Sequence, residues 1–410
     1  MYRKIANAKP VVKKHLARTA NFIWSKILED PRSQVNRIWN FDFLMNTIWR
    51  GMLTSCLHLR AVEDFSESYD ERVPDTTLHD FIVKLSPIPI KKLLVREVKK
   101  SLRSHELPKT DFPVRITAID GKCVSVSRNW IGEFSQLSDC NGVPQYLNRV
   151  LRAVTVSNEL KLTVGQRTIH ASTSEMGEFK NFLRELVADY GRTGLLEVIS
   201  VDAGMNSLDN ANFTIENKLD YIMGLKHPQK KLVEYAKETV GKRTNPDKTT
   251  DDRVNGKQIR RKLYREVVIE YPGWAHLKEI WRIRQETTEL RSGKQIVEER
   301  YFITSLSPYK LNNSQVLKAI RMHWGIENNA NWIMDTIWKE DDSPWCNKGF
   351  LFISLLRVLA YNIITRLLTR RLRKNDGRER SWQGIKFLIQ AVLLQGQVEQ
   401  KLKGMTPVFN

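Results

Sequence analysis

Apolar residues recur at helical spacing through the first hundred residues of the chain. Residues 39–62 form one broad apolar face, and a second amphipathic helix is predicted over residues 76–85. Pro87 and Pro89 are expected to end that second segment. The spacing therefore predicts a helical N-terminal region over residues 1–110.

From residue 115 onward the pattern changes to short apolar runs rich in Val, Ile and Thr. The predicted order is three strands, helix, strand, helix, strand, and a two-residue turn separates the second and third strands. This order predicts an α/β fold with a ribonuclease-H-like mixed sheet. The strands are 115–119, 152–157, 160–169, 196–201 and 220–225, and the first helix is 174–190.

The alternation breaks after residue 229. Three further strands with alternating basic and apolar residues predict a β-rich insertion, exposed on one face, before a long helix over residues 314–339. We therefore expect a catalytic core interrupted by an insertion, with helical regions at both ends. The predicted domains are 1–110, the core 111–229 with 306–345, the insertion 230–305, and the C-terminal helical region 346–410.

The net charge of the chain indicates the class of its partner. The chain has 66 basic and 46 acidic residues, a formal net charge of +20, and this excess predicts a polyanionic partner, nucleic acid above all. We expect no membrane span, because Arg357, Asn362 and Arg366 interrupt the apolar run 350–368. We also expect a cytoplasmic protein, because a signal peptide is not evident and the four scattered cysteines do not suggest disulfides. These are Cys56, Cys123, Cys140 and Cys346.

Three acidic residues are candidates for metal chemistry. Asp120 and Asp202 follow the first and fourth strands, which are neighbours in the predicted sheet, and Glu327 lies at the rim of the apolar face of the long helix. Carboxylates are the ligands that Mg²⁺ prefers, and two such ions promote phosphodiester cleavage. We predict that Asp120 bridges two Mg²⁺ ions, each completed by Asp202 or Glu327, and that Mn²⁺ can substitute.

Each acid has an ordinary structural alternative. The dipeptide Asp120-Gly121 commonly forms a turn, and Asp202 could cap a helix. Glu327 could be a solvated helix residue, or could pair with His323 four residues earlier as part of a zinc site.

Several stretches resemble the DDE transposases of bacterial insertion sequences, specifically the H-repeat-associated subgroup. They are ITAIDGK around Asp120, ISVDAGMN around Asp202, DYIMGLKHPQ after it, and RMHWGIENNANWIMDTIWKED around Glu327. The stretches DPRSQ near residue 30 and LRVLAYNIITRLL near residue 360 extend the resemblance to most of the chain. It implies that the three acids are the catalytic triad and that the segment between Asp202 and Glu327 contains the β-strand insertion domain of cut-and-paste transposases. Because such an enzyme joins two ends in one event, we expect a homodimer on DNA.

The chain departs from that subgroup near two of the acids. Asn331 stands before Trp332 where the subgroup usually has histidine, and Ala203-Gly204-Met205 replaces its usual Ala-Leu-His. The Tyr, Arg and Lys that flank the glutamate in some related transposases are also absent; Ile320, His323 and Met334 stand at those offsets. No departure removes a metal ligand, but they leave open how the flanking DNA strand is handled.

Basic residues near these motifs are candidates for contacts with DNA phosphates. Trp274 and Trp281 of the insertion could stack on a flipped base, although a core position is the more common role of such tryptophans. The predicted DNA-binding residues are Lys122, Lys226, Arg321, Arg370, Arg371 and Arg373.

The predicted activity is metal-dependent cleavage at the ends of an insertion sequence, followed by transfer of the 3′-hydroxyl ends into target DNA. Two alternatives stay open at the level of sequence. One is a DNA endonuclease with the same core that does not transfer strands. The other is a domesticated DNA-binding protein without chemistry.

Overall fold

The computed structural model describes residues 8–33, 37–54, 56–69, 71–107, 112–140, 142–226, 229–274, 276–342, 345–372 and 380–404. Within these residues one mixed sheet of ten strands carries helices supplied by both ends of the chain. A single large cluster of buried apolar side chains runs through the helical regions and the sheet. The predicted α/β class with a mixed sheet and helical ends is confirmed.

The N-terminal region contains five α-helices in its described residues. The apolar face predicted over residues 39–62 belongs to two helices, of which the first begins where the Asn40 side chain accepts a hydrogen bond from the Phe43 amide. Pro87 and Pro89 lie at the start of the last helix rather than ending a segment, because proline has no amide hydrogen to lose in a first turn. The helices are α1 Lys9–Thr19, α2 Phe41–Leu53, α3 Leu59–Tyr69, α4 Asp75–Val83 and α5 Ile88–Arg103.

The central sheet follows the predicted alternation. Its strand order is β4-β3-β1-β5-β6, with β1, β5 and β6 parallel to one another and β3 antiparallel to β1. A further strand, β2, pairs with β3 and was not predicted. The strands are β1 Ile116–Ser127, β2 Ser135–Cys140, β3 Val143–Thr155, β4 Thr163–Thr168, β5 Val198–Val201 and β6 Asp220–Leu225; helices α6 Glu175–Tyr190 and α7 Leu208–Glu216 connect the later ones.

The segment between the core halves adds four antiparallel strands to the same sheet. Strand β10 pairs directly with β6, with Ile303 opposite Met223, so the added strands continue the core sheet. The strand that begins this segment was not predicted. The elements are α8 Lys230–Glu238, β7 Lys248–Val254, β8 Lys257–Val267, β9 Glu279–Glu289 and β10 Gln295–Thr304.

The long helix predicted over residues 314–339 is formed by three consecutive pieces. Helix α9, Asn313–His323, starts with a capping box in which the Asn312 and Gln315 side chains bond each other's backbone amides. A π-helical turn, Ile326–Asn331, follows and leads into α10, Trp332–Trp338. The π turn changes the angular spacing of the side chains along the predicted helix, including Glu327.

The C-terminal region contains α11, Phe350–Arg366, a π-helical continuation, Leu367–Leu372, and α12, Trp382–Gly404. The stretch Phe350–Leu372 is long and apolar enough to cross a membrane, but 89% of its most apolar window is buried inside the protein, as in a core helix. The Asn362 amide bonds both the backbone nitrogen and the backbone oxygen of Thr163, which fixes α11 against β4. This pairing explains a polar residue within the apolar run.

Candidate active site

Strand register brings Asp120 and Asp202 together. Strands β1 and β5 are parallel, and Ile119 lies opposite Val201, so the two aspartates that follow are neighbours across the pair. Asp120 lies inside β1, which excludes the alternative that Asp120-Gly121 is a turn. One of its oxygens accepts a hydrogen bond from the Gly121 amide at 2.9 Å.

Asp202 sits in the tight turn that follows β5. Its Oδ1 accepts hydrogen bonds from the backbone amides of Gly204 and Met205, at 2.9 and 3.3 Å. Helix α7 is capped by Ser207 instead, whose side chain accepts from the Asn210 amide. The helix-capping alternative for Asp202 is therefore wrong, and the backbone holds this carboxylate at the end of the strand.

Glu327 projects from the π turn. The helix that carries it packs against β1, and burial together with the negative charge of Asp202 raises the pKa of Glu327, while Arg300 lowers it. π turns commonly occur at functional sites, because the extra residue displaces a side chain from the regular helical spacing. Here the turn carries an acid that interacts electrostatically with both Asp120 and Asp202.

The three carboxylates influence one another electrostatically. Burial, together with the charges of Glu327, Glu175 and Asp202, raises the pKa of Asp120 to about 7, and the hydrogen bond from the Gly121 amide opposes this rise. Like charges this close are stabilised by a cation or by protons. In the described ranges no three His, Cys, Asp or Glu side chains are close enough to hold one ion together, so any ion here would take two carboxylates and complete its shell from water or substrate.

His323 does not contribute a second kind of ligand. Its Nδ1 lies 3.0 Å from the Ser200 hydroxyl, and burial lowers its pKa to about 4. His323 is buried, neutral and bonded to Ser200 of β5, and it is therefore a core residue. The described residues thus give no support to the zinc alternative.

Glu175 is an acid that the sequence reasoning missed. It begins α6, where burial and the charge of Asp202 raise its pKa and Arg149 lowers it. A Cβ on Gly121 would overlap its carboxylate, so glycine at that position lets Glu175 approach Asp120. Its placement depends on how α6 packs on the sheet, and no local motif reports that.

A buried network of polar side chains reaches Asp120 through Asn331. Asn331 Nδ2 lies 3.5 Å from Asp120 Oδ2, and Arg152 donates to Asn331 Oδ1 at 3.0 Å. Arg152 is fully buried in β3 and forms an ion pair with Glu340 at 3.0 Å. Gln166 accepts two further hydrogen bonds from the same guanidinium, so its charge is satisfied within the core.

The predicted DNA-binding residues do not share one environment. The Lys122 ammonium bonds the Asp335 carboxylate at 2.6 Å and is mostly buried, whereas Lys226 is exposed after β6. Arg321 is exposed and lies 3.2 Å from Asp252. Arg370 and Arg371 both contact Glu106, through its backbone and its carboxylate respectively, and Arg373 lies outside the described residues.

The two tryptophans of the insertion are buried. Trp274 and Trp281 are 8% and 0% exposed, and the Trp281 indole donates to the Glu279 carboxylate at 3.1 Å. They are core residues, the more common of the two roles considered for them.

A family model described as Transposase DDE domain matches residues 112–363, which is more than half of the chain. The chain belongs to this transposase family. Transposases of the DDE class cleave DNA and join the ends to a new site, so the predicted activity is confirmed at the level of the family. The matched residues run from the start of the sheet through α10 into α11, and so contain all three candidate acids.

A solved structure shows the same overall fold. The cryo-EM structure of a piggyBac transposase synaptic complex with hairpin DNA superimposes with a TM-score of 0.53 at 11% identity, covering 98% of this chain and 83% of that one. At this identity the likeness concerns the fold alone. No curated protein is significantly similar to the chain.

Proposed function

We propose that Asp120, Asp202 and Glu327 are the catalytic acids of this DDE transposase. The proposal is carried by the strand register that sets Asp120 beside Asp202, with Glu327 close enough to raise the pKa of Asp120. The charges of both other acids raise the pKa of Asp120, and Asp120 is the residue that we propose would bridge two ions. The subgroup assignment, H-repeat-associated transposases of bacterial insertion sequences, rests on the motifs around these acids.

The donor set fits hard divalent cations. Among the described residues the ligands brought together here are carboxylate oxygens, the ring of the neutral His323 is bonded to Ser200, and the mutual repulsion of the acids is relieved when a cation binds. We propose two Mg²⁺ ions, for which Mn²⁺ can substitute. When bound, two such ions stabilise the attacking and leaving oxygens of an in-line displacement at phosphorus.

The residues of the chain hold these acids in fixed positions. Backbone amides of Gly204 and Met205 orient Asp202, and Asn331 together with the Gly121 amide orients Asp120. In the first reaction a water oxygen bonds to phosphorus while the bond to the 3′ oxygen breaks, leaving a 3′-hydroxyl and a 5′-phosphate. In the second, that 3′-hydroxyl attacks a target phosphate and displaces a 3′ oxygen, so one phosphodiester replaces another.

The DNA is proposed to be double-stranded, comprising the two element ends and a target. Because two ends are joined in one event, we propose a homodimer on DNA, acting in the cytoplasm. The net charge of +20 favours such a polyanionic partner. The N-terminal helices are the proposed region for end binding or pairing.

The test is incubation of purified protein with Mg²⁺ and labelled DNA that carries the ends flanking its own gene. Cleaved, hairpin and joined products are resolved for the wild type, for Glu327→Gln and for Glu216→Gln. Glu216 is an exposed residue at the end of α7, by the opposite end of the strands from the acids, and serves as a matched control. We expect joined products for the wild type and the control, and none for Glu327→Gln.

The other outcomes separate the alternatives. Cleaved but never joined products would identify an endonuclease. Binding with no metal-dependent product would identify a DNA-binding protein. Full activity in Glu327→Gln would remove Glu327 from the site.

A further inference from the structure

A cleft of about 980 Å³ opens beside the helix that carries Glu327. One wall is the face of α9 and the π turn that runs from Ser314 to Asn329. The β7–β8 hairpin forms another part of the lining, which includes Arg261. The rest comes from Phe112, from Arg370 and from the turn between β3 and β4. Side chains far apart in sequence therefore meet in one cleft, which shares the π turn with Glu327.

The lining is strongly basic. It contains five cationic and only two acidic side chains, and the two acids, Asp252 and Glu159, pair with all three arginines rather than with the lysines. In the part of the chain that the structure describes, Lys161 and Lys318 have no carboxylate within ion-pair distance. The cationic residues are Lys161, Arg261, Lys318, Arg321 and Arg370.

Lys161 is positioned by a glycine. A Cβ on Gly325 would lie 3.3 Å from the Lys161 Cε, so the absence of a side chain there lets the lysine lie close against the helix. Lys161 also lines a smaller adjoining cavity of about 360 Å³. Because Lys161 lines both cavities, its ammonium can contact a ligand that extends through both.

The remaining lining suits bases rather than phosphates alone. Asn158, Asn328 and Asn329 supply amide groups that can donate and accept hydrogen bonds, and Leu317 and Met322 supply apolar surface. Grooves for single-stranded nucleic acid combine cations along the backbone with surfaces on which bases pack. The volume is that of a small-molecule site, which accommodates a short piece of strand and not a turn of duplex.

We infer that this cleft, lined in part by the π turn that carries Glu327, binds a short unpaired DNA strand. The inference rests on the proposed function, because the position of the cleft relative to Glu327 matters only if Glu327 takes part in cleavage. Phosphates would contact Lys161, Lys318 and Arg321, and the bases would lie against Met322 and the asparagines. Duplex binding would use other surfaces and is not expected to depend on the cleft.

The test measures the affinity gained from an unpaired extension. Fluorescence anisotropy in EDTA, where cleavage is prevented, compares a blunt duplex of the element end with the same duplex carrying a short unpaired extension of thymidines. For the wild type we expect the extension to tighten binding by about tenfold, the value of one stacked base or a few phosphate contacts. The Lys318→Gln/Arg321→Gln variant should lose most of that gain and keep its affinity for the blunt duplex.

The control variant for this measurement also loses two positive charges, but at positions outside the cleft. Arg192 and Lys218 are exposed after α6 and α7, by the opposite end of the strands from the acids, and the Arg192→Gln/Lys218→Gln variant should keep the full gain. Lys161→Gln, on a different element, should lose part of it with an unchanged thermal midpoint. Equal affinity of the wild type for both DNAs, or an undiminished gain in the cleft variants, would overturn the inference.

The cleavage assay separates this inference from the proposed function. A protein that cleaves and joins DNA but gains nothing from the extension would contradict the inference alone. A protein that gains affinity from the extension but forms no metal-dependent product would contradict the proposed reaction and leave the strand-binding cleft standing.

Discussion

The side-chain amide of Asn331 lies 3.5 Å from the carboxylate of Asp120, measured from Nδ2 to Oδ2. The other side of the amide faces Arg152, whose guanidinium has only donors, so Asn331 must present its oxygen there and its NH₂ to Asp120. The amide thus accepts on one side and donates on the other. A neutral histidine can do the same, and histidine is what the resembling subgroup usually has at this position.

We predict that Asn331→Ala lowers the cleavage rate and the Mn²⁺ affinity by about 10- to 100-fold, the usual range for a residue that orients a metal ligand. Asn331→His should retain most of both, because imidazole supplies one donor and one acceptor. Calorimetric titration with Mn²⁺ and single-turnover cleavage measure the two quantities. A histidine variant as impaired as the alanine variant would show that the amide is required for another reason.

Gly121 gives a second prediction. Gly121→Ala should displace the Glu175 carboxylate, because the new Cβ overlaps it, and should weaken Mn²⁺ binding about tenfold through the loss of negative charge beside Asp120. Glu175→Gln should weaken binding similarly, and the double variant should lose little more, since both changes remove one interaction. The control is Gly177→Ala. Gly177 lies in α6 with Glu175, and an added Cβ there would make only ordinary van der Waals contacts. Additive losses would mean that Gly121 and Glu175 act separately.

The ion pair beneath the site predicts a stability effect. Arg152 and Glu340 are both fully buried, so Glu340→Gln leaves an uncompensated guanidinium and should destabilise the fold by about 3–5 kcal/mol. Urea unfolding measures the change. Asp251→Asn, which removes the exposed partner of Arg260, should leave the midpoint unchanged. A Glu340 variant as stable as the control would show that Gln166 and Asn331 alone satisfy Arg152.

The sequence pattern predicted the central strands well, and the reason is burial. Strands β5 and β6 are buried runs, and the predicted bounds of 220–225 for β6 agree with the structure. Because Asp120 and Asp202 directly follow buried runs, their meeting could be predicted from strand order and the parallel pairing of β1 with β5. Glu327 could be assigned to a helix from apolar spacing, whereas the π turn that contains it has no sequence period of its own.

Other features depended on tertiary contacts that sequence does not report. Strand β7 is exposed or half-exposed along its whole length and so lacks the apolar alternation that marks a strand. The partners of Glu175 and Arg152 lie on other elements, and nothing near them in sequence predicts the pairing. The basic cleft combines residues from five distant segments. Among its cationic residues, only Arg321 and Arg370 were predicted from the sequence to bind DNA.

Acid should destabilise the protein through His15, which is buried and whose Nε2 lies 2.9 Å from the Ile363 carbonyl oxygen. Burial lowers its pKa from 6.5 to about 4. Between these values the unfolded chain binds a proton that the folded chain does not, so stability is lost as the pH falls through this window, by roughly 3 kcal/mol at most. His15→Gln cannot take up that proton, yet its amide can still donate to Ile363. The thermal midpoint should therefore fall further between pH 7.5 and pH 5 for the wild type than for His15→Gln. The control His276→Gln changes an exposed histidine, and its midpoint should fall by as much as that of the wild type. Equal falls in all three proteins would assign the acid sensitivity to other groups.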